Sequence, residues 1–260
     1  MKHSRTSSRK QQHVQLTLER NVAFQSKSAG FDQWEFVHNA LPELDYTEVD
    51  ASSTFLGRPL RLPLIVSSMT GGYKDAERIN AGLAEACEAT GIAMGVGSQR
   101  QALESTTFHE SFSVVRKYAK TIPIFGNIGA AEVALLTNPG PVKKLADLID
   151  ADGFAVHLNP LQELLQPEGT PAFKGVLKGI EMLARNLSIP IIVKEIGAGI
   201  SADVARRLIN AGVSIIDVAG AGGTSWAGVE ILRRKNGARA DFSQVFWDWG
   251  IPTVDAVRQV

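Results

Sequence analysis

The sequence holds a single cysteine, Cys87, among 260 residues, which excludes an intramolecular disulfide framework and fits a reducing, cytoplasmic compartment. Cys87 lies in the helix-like run AGLAEACEATG and reads as a small buried thiol rather than a nucleophile. Net charge is missing too. Lysine plus arginine balance aspartate plus glutamate at 27 each, so no global field recruits nucleic acid or an acidic membrane surface. No apolar run approaches the ~18 residues of a membrane span, and no hydrophobic secretory stretch opens the chain. Acids are absent locally: residues 2–13 carry Lys2, His3, Arg5, Arg9, Lys10 and His13, and none precedes Glu19. That start is too short and too poor in apolar residues for an organelle transit peptide, and on composition alone it is a disordered tail.

What is present, from residue 61 onward, is a recurring unit. Short apolar runs end in glycine or polar residues, and amphipathic stretches follow them. The strand candidates are 62–69, 92–98, 122–129, 153–159, 189–196 and 214–223, with helical patterns near 75–90, 110–120, 141–150, 172–187 and 201–211. Strands apolar on both faces are parallel strands covered by helices. Repeated βα units leave a doubly wound sheet or a (β/α)₈ barrel. The endings SSMTGG, GSQR, GNIG, HLNPLQE, KEIG and AGAGGTSW spread chemistry over most strands, as a barrel rim does, and no early G-x-G-x-x-G supports a Rossmann unit. The reading is therefore an α/β TIM-type barrel of which about six βα units are present. Residues 1–60, with β-like pieces VQLTL and YTEVD, form an extension, and the barrel runs over 61–260. A closed barrel needs roughly 60–90 further residues at this repeat length, so the last two strands are expected to be lacking.

Several rim residues invite a chemical role beside a plain one. Ser67, Ser68, Met69 and Thr70 lead into Gly71-Gly72, a hydroxyl-bearing rim for a flat ligand or simply a turn with a helix cap. Arg100, after Ser98 and Gln99, offers a donor fork matched to phosphate, or is a solvated side chain. Asn127 within IPIFGNIG reads a ligand or satisfies backbone. HLNPLQE crowds His157, Asn159, Gln162 and Glu163 into one sector, the first pair on one strand face and the second in a loop, with a carboxylate suited to Mg²⁺. Lys194 stands inside a β-branched run, where it meets an anion or electron-rich ring atoms, pairs with Glu195, or reaches solvent.

Eight motifs occur in one order: R-K-x-x-H at Arg9, Lys10 and His13, LPE at 41–43, SMTGG at 68–72, GSQR at 97–100, GNIG at 126–129, HLNPLQE at 157–163, KEIG at 194–197 and GAGGTSW at 220–226. In this the chain resembles the type 2 isopentenyl-diphosphate isomerases along its whole length. The resemblance implies interconversion of isopentenyl and dimethylallyl diphosphate, with reduced FMN as acid/base cofactor, NADPH as reductant and Mg²⁺ on the diphosphate. It implies that Ser67, Ser68, Met69, Thr70, Ser98, Asn127, Lys194 and Thr224 hold FMN. Arg9, Lys10, Ser98, Gln99, Arg100, His157, Asn159 and Gln162 would hold the substrate, and Glu163 the metal. Gln162, His157 and Lys194 would be the catalytic set, and the basic arm a phosphate clamp that orders on binding. It further implies a cytoplasmic homo-oligomer, a tetramer or larger, with no nucleic-acid or membrane partner.

Strand ends seven and eight, which grip the flavin phosphate in such barrels, have no match here. This chain alone is accordingly expected to be a fragment that holds FMN poorly. The competing readings are another FMN barrel of the α-hydroxy-acid oxidase type and an inactive truncated product. Six residues, Thr70, Ser98, Asn127, His157, Lys194 and Thr224, are expected to converge on one cavity.

Overall fold

A computed structural model describes residues 5–234 and 242–260; Lys2 and His3 of the basic arm lie outside the described residues. Six parallel strands appear in chain order in one curled sheet. With a preceding hairpin of β1 (Ser53–Phe55) and β2 (Arg58–Leu60), they are β3 (Ile65–Val66), β4 (Ala93–Gly95), β5 (Ile124–Gly129), β6 (Gly153–His157), β7 (Ile191–Lys194) and β8 (Ile215–Asp217). Each lies inside its expected run. The helices between them that match the expected patterns are α2 (Ala76–Thr90), α4 (Glu110–Tyr118), α6 (Gly140–Leu148), α8 (Val176–Asn186) and α9 (Ala202–Asn210).

Strand periodicity divides these runs between two surfaces. Ile128, Phe154, Val156, Ile191 and Val193 face outward into a core with Val142, Leu145, Ile180, Leu183, Ala205 and Leu208 from α6, α8 and α9. Phe125, Ala155 and Ile192 face inward, where Phe55, Leu56 and Ile215 pack on them. Register then sets the rim. Gly129 pairs with His157, His157 with Lys194, and Lys194 with Asp217, which is one row across four strands. The inner face thus begins apolar at its base and ends polar at the carboxyl ends. Cys87 is free and buried in the core between α2, α4 and β4, as its sequence context indicates.

The extension differs from expectation in two places. VQLTL is part of helix α1 (Arg5–Glu19), and YTEVD contains a single 3-10 turn; the strands of this region are Ser53–Phe55 and Arg58–Leu60. The hairpin turns at Leu56 (φ 50°) and Gly57 (φ 75°). Both central residues take the left-handed region that tight hairpins need. Leu56 tolerates it because its side chain plugs the barrel base, where a Cβ on Gly153 would meet it at 2.8 Å. Asp152 clamps the plug through Arg58 (2.5 Å) and Arg116 (2.8 Å).

The basic arm is likewise helical and docked. A helix this short is marginal in isolation. Here tertiary contacts hold it: the Lys10 ammonium donates to the carbonyls of Gly71 (2.5 Å) and Ser98 (2.7 Å), and the His13 ring meets Trp226 edge-on at 5.1 Å.

Candidate active site

The carboxyl ends of the strands, with α1, enclose a cavity of about 250 Å³. Its strand wall carries Ser67, Ser68, Met69, Ser98, Asn127, His157 and Lys194. Its helix wall carries Arg9, Lys10 and His13 from α1, Arg100 at the start of α3 (Arg100–Glu104), and Glu132 from α5 (Ala130–Val133). Asn159, Gln162, Glu163 and Gln166 complete it from α7 (Pro160–Leu165) and its two caps.

On the strand wall burial dominates. Lys194 is 6% exposed; it donates to the Glu195 carbonyl at 2.6 Å and lies 4.0 Å from the Asp217 carboxylate. Burial lowers its pKa, opposed by Asp217 and Glu195. The Glu195 carboxylate does not pair with it directly; it accepts from the backbone N–H groups of Ile196, Gly197 and Ala198 at 2.7, 2.8 and 2.5 Å. His157 Nδ1 lies 2.9 Å from Asn127 Oδ1. Burial, reinforced by Lys194, Arg9 and Lys10, drives its pKa down to about 3, so the ring is neutral. A neutral ring donating from Nδ1 to the amide oxygen leaves Nε2 as an acceptor. The Ser68 hydroxyl is buried at the cavity with no protein partner.

On the helix wall charges meet charges. Arg100 bridges Glu104 (3.2 Å) and Glu132 (2.8 Å). Burial raises the Glu132 carboxyl, opposed by Arg100. Lys10 falls to about 7, first through burial and then through Arg9. Glu163 accepts from Asn159 Nδ2 at 3.1 Å and from the Thr170 N–H at 2.7 Å.

Behind Gln162 stands Glu230, fully buried on α10 (Trp226–Arg233). It accepts from Gln162 Nε2 (3.0 Å), His13 Nε2 (2.9 Å) and Arg233 (2.5 Å). Burial would raise its pKa, but His13 and Arg233 outweigh that and hold it below the usual range. Asn159 Nδ2 donates to Gln162 Oε1 at 3.0 Å, so the Gln162 amide is pinned at both ends.

Three expected residues fall outside the lining. Gln99 is fully buried, with Nε2 on the Leu145 carbonyl (2.9 Å) and Oε1 on the Asn127 N–H (3.1 Å), so its amide joins secondary structure instead of reading a ligand. Thr70 offers its carbonyl to Gly97 N (2.7 Å) and Asn80 Nδ2 (3.1 Å). Thr224 is exposed and bridges Ala23 through backbone. Of the six residues expected to converge, Ser98, Asn127, His157 and Lys194 do. Gln162 and Glu163 sit in the first turn of α7 and not in a loop, because Pro160 starts the helix at N1; the Asn159 side chain donates to both residues instead of capping the backbone.

Glu132 and Gln166 of the lining, and Glu230 behind it, do not stand out in the sequence motifs, and His13 has no role there beyond its place in R-K-x-x-H. For Glu230 a signal existed, a lone acid within the apolar run WAGVEIL. For Gln166 there was none.

A family model for FMN-dependent dehydrogenase matches residues 3–115. The isopentenyl-diphosphate delta-isomerase of Pelodictyon phaeoclathratiforme is 49% identical over 263 residues, covering 99% of this chain and 74% of that protein. The enzyme of the same name from Chlorobium chlorochromatii is 51% identical over 98% of this chain and 73% of its own. That of Pseudescherichia vulneris is 47% identical over 100% of this chain and 75% of its own. Among solved structures, a soluble mutant of the membrane-associated (S)-mandelate dehydrogenase from Pseudomonas putida matches with a TM-score of 0.54 at 14% identity, over 80% of this chain and 68% of that one. That likeness shows the shared barrel fold.

Proposed function

The chain belongs to the isopentenyl-diphosphate delta-isomerases, and we propose that its cavity interconverts isopentenyl and dimethylallyl diphosphate with FMN as cofactor. The observation that carries this reading is one cavity with two unlike walls: cations and a carboxylate for a metal-bound diphosphate on the helices, desolvated hydroxyls, an amide and the Lys194 ammonium for a flat ring on the strands.

Two features support FMN on the strand wall. The Ser68 hydroxyl is buried with no protein partner. The Lys194 ammonium, short of a close counter-ion, suits an electron-rich ring edge. Ser67, Met69, Ser98 and Asn127 would complete the cradle. Thr70 and Thr224 lie outside the cavity lining and are left out of this cradle. When bound and reduced, FMN supplies a proton-transfer group without net redox change.

Arg9, Lys10 and Arg100 would hold the diphosphate, with Ser98, His157 and Asn159 beside it. Among the described residues no group of three or more metal-ligating acids, histidines or cysteines occurs. Glu163, a carboxylate in the cavity lining, would share Mg²⁺ with phosphate oxygens, as that ion prefers. Neutral His157 would accept at Nε2 from the substrate, and Gln162, pinned between Asn159 and Glu230, would offer a side-chain amide held in one orientation. On the family resemblance NADPH is the reductant, residues 1–60 work as the substrate-binding arm of the barrel, and the protein is a cytoplasmic homo-oligomer.

The test is turnover followed by NMR, with reduced FMN and Mg²⁺, on this chain and on the chain joined to the C-terminal quarter of a relative. Conversion of isopentenyl diphosphate by the joined chain that stops when the flavin is oxidised is the expected result. Oxidation of a 2-hydroxy acid without action on the diphosphate would replace this reading with the oxidase one.

A further inference from the structure

We propose that Gln166 is a further diphosphate-binding residue, its side-chain amide donating a hydrogen bond to a phosphate oxygen. The proposal rests on the diphosphate reading of the cavity. Gln166 is 5% exposed and lines the cavity beside Arg9 and Glu163, yet its Nε2 has no hydrogen-bond partner. A buried amide N–H₂ carries two donors and no acceptor, so it calls for a ligand oxygen and not for a cation.

The orientation of the amide is set by its other end. Gln166 Oε1 accepts from the Arg9 guanidinium at 3.5 Å, and the flipped amide would point its hydrogens at that cation. The side chain is held from behind as well. The Gln166 N–H donates to the Gln162 carbonyl (2.8 Å), and the Gly169 N–H donates back to the Gln166 carbonyl (3.1 Å). A Cβ at Gly169 would press on Gln166 Cγ at 2.9 Å and overlap the Glu163 carbonyl, so glycine there lets the turn close over both residues. The same turn brings the Thr170 N–H to Glu163 Oε2 (2.7 Å) and the Glu168 carboxylate to Arg233 (2.5 Å). The side chain is therefore held in place in the cavity lining, beside Arg9 and with Glu163 in the same turn.

Inorganic pyrophosphate with Mg²⁺, titrated calorimetrically into the full chain, tests this without turnover. Gln166→Met keeps the bulk and removes the donors; Gln166→Glu keeps the shape and replaces them with negative charge. A lost hydrogen bond to a charged group predicts that Gln166→Met raises Kd about tenfold to a hundredfold. Gln166→Glu is expected to bind more weakly still, while FMN affinity and thermal unfolding stay as in the unsubstituted chain. Equal pyrophosphate affinity in the unsubstituted chain and both variants overturns the Gln166 role and leaves the diphosphate reading standing. Absence of pyrophosphate binding in the unsubstituted chain overturns both.

Discussion

The two walls of the cavity keep charge by opposite means. On the helix wall the paired charges hold one another: Arg100 lies between two glutamates, and Glu230 meets Arg233 and the His13 ring. On the strand wall charge is weakened or removed: Lys194 loses basicity, and His157 stays neutral with a pKa of about 3. The difference follows from geometry. Helices α1, α5 and α10 project long side chains that can swing toward partners. Neighbouring strands put inward residues about 4.8 Å apart in a fixed row, and His157, Lys194 and Asp217 occupy consecutive places in it. Lys10 crosses between the regimes. It starts on a helix, but its ammonium ends on strand-end carbonyls, and it too is weakened. Pairing should therefore protect stability on one wall, while desolvation should store free energy for a ligand on the other.

The largest effect is expected at Glu230. Glu230→Ala leaves His13, Gln162 and Arg233 facing a buried gap, and removing one member of a buried ion pair costs about 3–5 kcal/mol. Urea unfolding measures it. A loss below about 1 kcal/mol would mean that pairing does not hold the helix wall.

Next comes acid sensitivity from His157. Its folded pKa of about 3 lies below the ordinary 6.5, so the unfolded chain takes up the proton first as pH falls. The stability from neutral His157 is complete above about pH 6.5 and is lost progressively toward pH 3. Between pH 7 and pH 5 the loss is about 2 kcal/mol, at about 1.4 kcal/mol per pH unit. The His157→Asn chain should lose that much less over the same interval. Identical pH slopes in the two chains would mean that the strand wall is not desolvating this ring.

The smallest effect on stability, and the sharpest contrast with Glu230, is expected at Lys194. Replacing a buried, weakly partnered charge by an apolar side chain of similar length is neutral or stabilising. Lys194→Met should shift unfolding by about 1 kcal/mol or less, in the stabilising direction. Flavin fluorescence should nevertheless report FMN binding weakened about tenfold or more, as one charge-assisted contact is lost. A strongly destabilised variant would place Lys194 with the paired charges and erase the distinction between the walls.

The amino-acid order by itself determined the six βα repeats, because apolar runs that end in glycine and polar residues have few other ways to be buried. It also determined most of the rim, since a motif at a strand end travels with its strand. Ser98, Asn127, His157 and Lys194 were legible for that reason. The facing of each strand was less so. IPIIVKEI is apolar at nearly every place, and only packing against α8 and α9 sends Val193 outward and Lys194 in.

Motifs and resemblance named Arg9, Lys10, Arg100, Asn159, Gln162 and Glu163, but tertiary structure decided how the helix wall is assembled around them. The start of the chain has the composition of a solvated tail, and it becomes α1 because Lys10 and His13 find partners 61 to 217 positions away. Gln99 and Gln166 look alike as polar residues after strand ends. One is consumed by Leu145 and Asn127, while the other lines the cavity with an Nε2 that has no protein partner. No local pattern separates them, because whether a buried amide is satisfied depends on which distant groups the fold brings within about 3 Å.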